Sequence, residues 1–91
     1  MLTLEWSDEA LDDLDQLAEY IGERNPMAGA RLLDRIETFA ERLCHFPYMH
    51  RTGRAPGTRE AVVTPTYMLI YRVTADAVEI LSVVHTRQQY P

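Results

Sequence analysis

Ninety-one residues suffice for one hydrophobic core and exclude a second. A hydrophobic content of 46% with 25% charged residues excludes a disordered or low-complexity chain. The net charge of −5 is lopsided: residues 1–50 carry 11 Asp/Glu against four Arg, and residues 51–91 carry three against five Arg, so a basic patch is expected on an otherwise acidic body.

The opening "LTLEW" (2–6) alternates apolar and polar residues and predicts a short strand. Ser7 can cap a helix, and Asp8 and Glu9 put negative charge in its first turn, where the helix dipole favours it. Leu11, Leu14, Leu17, Ala18 and Ile21 then recur at three- and four-residue steps, predicting helix one from about Asp8 to about Glu23, with Gly22 as its terminator. Its carboxylates, Asp13 included, read as a solvated face. Asn25 is an N-cap and Pro26 suits a first helical position, so a second helix follows a tight hairpin, buries Leu32, Leu33, Ile36, Phe39, Ala40 and Leu43, and stops before Pro47. Trp6, Tyr20, Phe39 and Phe46 stand at positions expected to pack.

"HFPYMHRTGRAPG" has the Pro and Gly content of a surface loop. Three strands follow, "REAVV" (59–63), "YMLIYRV" (67–73) and "AVEILSVV" (77–84), spaced for an antiparallel meander. The order β-α-α-β-β-β predicts an α+β domain spanning 1–91, a helical hairpin on one face of a small antiparallel sheet.

Much chemistry is unsupported. Cys44 is the one cysteine, and the three His have no metal-ligand spacing, so neither a disulfide within the chain nor a metal is expected. There is no Gly-rich phosphate loop and no nucleophile elbow, and no cofactor is expected. No run reaches the roughly 18 apolar residues of a membrane span, and the N-terminal stretch lacks the pattern of a signal peptide. A cytoplasmic protein without a membrane partner is the expectation. What remains is arginine: all nine basic residues are Arg. Alternation along 67–73 puts Arg72 on the face opposite Leu69 and Val73, and a meander can gather Arg59, Arg72, His85 and Arg87 toward one side of the sheet. With Arg51 and Arg54 from the loop they form a candidate anion-facing patch.

The ordered set of an "NP"-started second helix, a P-x-x-x-R-x-G-R loop (47–54), "GTRE" (57–60), "YMLIYRV" and a closing "VHTR" (84–87) resembles toxins of the RelE/ParE superfamily from bacterial type II toxin-antitoxin modules. The resemblance covers essentially the whole chain. It implies a cognate antitoxin that wraps the toxin, and a higher-order toxin-antitoxin complex is compatible with it.

The superfamily implies two activities. RelE-like members cut mRNA on the ribosome, which needs a base, an acid and cations on the phosphate. By that resemblance the nuclease set here would be His85, Arg59, Arg72, Arg87 and Tyr90. An Arg that such relatives carry at the start of the third strand is replaced by Met68, and an acidic chain suits ribosomal RNA poorly. ParE-like members instead poison DNA gyrase by binding, and the chain resembles that branch more. The target-binding residues are then Arg51, Arg54, Arg59, Arg72, His85 and Arg87. A degenerate toxin that only binds its antitoxin is a third reading.

Overall fold

The structure, a computed structural model, describes residues 1–87. In chain order it contains β1 (Thr3–Trp6), α1 (Asp8–Arg24), α2 (Pro26–Leu43), β2 (Arg51–Thr52), β3 (Arg59–Val62), β4 (Tyr67–Val73) and β5 (Ala77–His85). This is the expected α+β order with one addition, the two-residue β2 inside the predicted loop.

Both helices start as their sequences dictate. The Ser7 hydroxyl accepts the Ala10 N–H at 3.0 Å and donates to the Leu81 carbonyl at 2.9 Å, so one side chain caps α1 and ties it to β5. Asn25 serves both helices. Its N–H donates to Ile21 O at 2.8 Å, closing α1, while its side-chain oxygen accepts the Ala28 N–H at 3.1 Å, opening α2. Helix one therefore runs through Gly22 to Arg24, and Gly22 does not stop it. The position that needs a glycine is Gly29: a Cβ there would stand 3.2 Å from Gly22 N and 3.3 Å from its Cα, so the two backbones nearly touch where the hairpin closes.

The sheet order is β1-β5-β4-β3-β2. The meander pairs antiparallel as expected, but β1 lies parallel to β5, from Thr3 opposite Ala77 to Trp6 opposite Ile80, so the sheet is mixed. The helical hairpin is the crossover that a parallel neighbour requires. Strand β5, nearly continuous in apolar residues, takes the position flanked on both sides.

A bulge in β5 resolves its irregular pattern. Ser82 pairs with Ile70 and Ile80 with Tyr71, leaving Leu81 unpaired. The extra residue reverses the alternation. Val78, Ile80 and Val83 all face the helices, while Leu81 and Val84 join Met68 and Ile70 on the opposite side. The main core closes over Tyr71, Ile36, Leu43, Leu69, Ile80 and Val78, each nearly inaccessible to solvent. Burial of each aliphatic side chain contributes roughly 1.5–3 kcal/mol.

Beyond Ile80 no strand lies beside the β1 side of β5 among the described residues, and α1 takes that place. Ser7 N–H donates to Ile80 O at 2.9 Å, and the Asp13 carboxylate accepts the Val83 N–H at 2.9 Å. Asp13, expected to be solvated, thus stands in for a missing strand.

Candidate target-binding site

The predicted arginines divide among three places. The first is the loop that follows α2. Pro47 cannot continue a helix, and the chain unwinds through turns in which His45 and Phe46 N–H groups donate to Arg42 O at 3.1 and 3.2 Å. It is held from beneath. The Tyr71 hydroxyl, reaching out of the core, donates to Pro47 O at 2.6 Å, and Arg59 Nη1 donates to His50 O at 2.8 Å. The His50 ring sits between Phe39 at 5.6 Å and Tyr71 at 6.4 Å. Burial there pushes the His50 pKa down and the Tyr71 pKa up, the charge of Arg59 partly offsetting the latter.

Arg59 also lies over the Tyr48 ring, its guanidinium carbon 5.0 Å from the ring centre. Arg51 is bound to Glu60, a carboxylate only 8% exposed, at 2.6 Å. Arg54 is exposed in the hairpin turn between β2 and β3.

The second place is the other face of the sheet. Arg59 pairs with Tyr71 and shares its face, whereas Arg72, one residue on, projects oppositely and contacts Glu79 at 3.0 Å. The hydrogen bond and charge of Glu79 hold the Arg72 pKa up.

The third is the end of β5. His85 pairs with Tyr67, rings 5.8 Å apart, and its Nδ1 accepts the Arg87 N–H at 3.1 Å, so a neutral His85 carries its proton on Nε2. It lines a groove of about 740 Å³ with Asp13, Gln16, Tyr20 and Tyr67.

The expected gathering of Arg59, Arg72, His85 and Arg87 therefore does not occur. Tyr71 and Tyr67, the partners of Arg59 and His85, are four residues apart on β4, about 13 Å along the strand, and Arg72 is on the opposite face. The pleat and the antiparallel register enforce this. Tyr90 lies outside the described residues. Met68, near the start of β4, is 3% exposed beside Ile70 and Val84. Among the described residues no three His, Cys, Asp or Glu side chains form a metal-ligand set, and no helix is long and apolar enough to cross a membrane.

Two aromatic residues expected to pack do not. Phe46 is 61% exposed, and Tyr20 is exposed with Arg24 stacked on its ring at 4.1 Å. Asp13 was legible in principle, since Ala10, Asp13 and Leu17 fall at helical spacing on one stripe. The crowding of Phe46, Tyr48 and Met49 into one proline-bearing loop is likewise a visible signal.

Comparison with known proteins fits this architecture. The toxin Y4kP of Sinorhizobium fredii is 40% identical over 89 residues, covering 97% of this chain and 92% of that protein. The toxin RelE2 of Caulobacter vibrioides is 35% identical over 85 residues, covering 93% and 96%. The structure of a chromosomal ParDE toxin-antitoxin system from P. aeruginosa superposes with a TM-score of 0.84 over 93% of this chain and 96% of that one, at 20% identity, a likeness of fold. Residues 4–90 match the ParE toxin of the type II toxin-antitoxin system parDE, and the chain belongs to that toxin family.

Proposed function

We propose that this toxin arrests growth by binding DNA gyrase in the cytoplasm, and that a cognate antitoxin neutralises it. The observation that carries this reading is the dispersal of the cationic and titratable side chains. Cleaving a phosphodiester needs a base, an acid and a cation within reach of one phosphate. Arg72 stands across the sheet from Arg59, and His85 is displaced from Arg59 along it. Such an arrangement suits a binding surface better than a catalytic centre. Arg51, Arg54 and Arg59, close in sequence around one hairpin, are then the first target contacts, with Arg72, His85 and Arg87 on separate surfaces.

A second reading, ribosome-dependent mRNA cleavage, is favoured by two observations. His85 is exposed with its tautomer fixed by Arg87, as an acid-base group requires, and a 35% identical relative is named RelE2.

Pulse labelling after induction without antitoxin separates the readings. Loss of DNA synthesis first, with inhibition of purified gyrase, is the expected result. Loss of protein synthesis first would refute it and make His85→Ala the next variant. Absence of any arrest would leave a toxin that only binds its antitoxin.

A further inference from the structure

The loop between α2 and β2 departs from ordinary burial. Phe46, Tyr48 and Met49 are 61%, 66% and 74% exposed, three large apolar side chains within four residues. Flexibility does not account for them, because the backbone that carries them is anchored at both ends. Tyr71 holds Pro47, Arg59 holds His50, and the His50 ring is packed between Phe39 and Tyr71. A segment ordered in the free protein loses little further entropy when a partner closes on it.

A cation, Arg59, stands at the edge of this cluster, over the Tyr48 ring. Arg51 and Arg72 each contact a carboxylate, but the described contacts of Arg59 are a carbonyl and the Tyr48 ring, so its charge is uncompensated at close range. Aromatic residues, Met and Arg, with Lys, Asp and Glu absent from the apolar cluster itself, have the composition of a protein interface centre. A nucleic acid backbone fits less well, because the chain is net acidic and Arg51 is already occupied by Glu60.

We infer that Phe46, Tyr48 and Met49, with Arg59 at their edge, form a preorganised docking knob for a protein surface that offers an apolar pocket bordered by Asp or Glu. The inference rests on the proposed function, in that the occupant is the toxin's target protein.

The test measures binding of purified toxin to purified gyrase for wild type, Tyr48→Ser with Met49→Ser, Arg59→Glu, and Met27→Ser, an exposed apolar residue at the start of α2. Thermal unfolding checks that each variant is folded. The expected result is a loss of about thirtyfold or more for the double variant and for Arg59→Glu, with Met27→Ser unchanged. Folded variants that bind as wild type does overturn the inference. If wild type itself fails to bind gyrase, the proposed function falls and growth arrest becomes the readout. Loop variants that remain folded but harmless then uphold the knob against another protein target, and loop variants as toxic as wild type overturn it. A wild type that causes no arrest overturns both. Tight binding of a 20-nucleotide single strand, abolished by Arg59→Glu and indifferent to Tyr48 and Met49, assigns the surface to nucleic acid and also overturns it.

Discussion

Replacing Asp13 by Ala tests whether a helix side chain completes the sheet. The carboxylate accepts the N–H of Val83 at 2.9 Å, and Val83 is only 8% exposed. A hydrogen bond to a charged group is worth about 1.5–3 kcal/mol, and the low end applies because Asp13 is itself half-buried. Alanine returns roughly 0.5 kcal/mol in helix propensity. The net expected loss is about 1 kcal/mol, or about 4–8 °C in Tm for a domain of this size. Asp12→Ala, on the exposed face of the same helix, supplies the propensity change alone, so the difference between the two variants isolates the clamp. Asp13→Asn keeps an acceptor oxygen and should fall between wild type and Asp13→Ala. Urea unfolding at neutral pH gives the free energies, and amide exchange at Val83 should accelerate selectively in Asp13→Ala. Equal stabilities for Asp12→Ala and Asp13→Ala, with Val83 exchange unchanged, would refute the reasoning.

The glycine crossing makes an asymmetric prediction. Gly22→Ala meets nothing within 4 Å and should stabilise by up to about 1 kcal/mol, whereas Gly29→Ala presses on the Gly22 backbone and should cancel or reverse that gain, as denaturant titration will show. Tyr71→Phe removes the donor to Pro47 O and should cost about 1 kcal/mol, with chemical-shift changes concentrated in residues 45–50. For His50, burial lowers the folded pKa below the unfolded one, so the folded state binds fewer protons. Its contribution is therefore complete above the ordinary imidazole range and lost as pH falls through that range toward the lowered value. His50→Gln should flatten this part of the stability-pH profile, and an unchanged slope would count against the buried neutral ring.

Much of the candidate site was legible one residue at a time. Pro47, Arg54, Arg59 and the outward Arg72 stand where their local patterns put them, whereas Arg51, read as loop, lies in β2. Their mutual positions were not, because a pattern of period two assigns faces within a strand but is silent about which rows of neighbouring strands align. The bulge at Leu81 shows the same limit. "EILSVV" alternates poorly, and only pairing with β4 reveals that one residue is skipped and that Ile80 and Val83 therefore share a face.

The sequence by itself determined the two helices, the Asn25 cap that opens the second, the three long strands and the α+β class. Those features follow from local periodicity and from caps that satisfy backbone groups within a few residues. Only the tertiary structure decided that β1 docks parallel to β5, that Asp13 serves a sheet edge, and that Phe46 and Tyr48 face outward. Each of these depends on a partner distant in the chain: Val83 is 70 residues from Asp13, and Tyr71 is 24 from Pro47. Such contacts arise from packing the whole core at once, and no local window of the sequence contains both members.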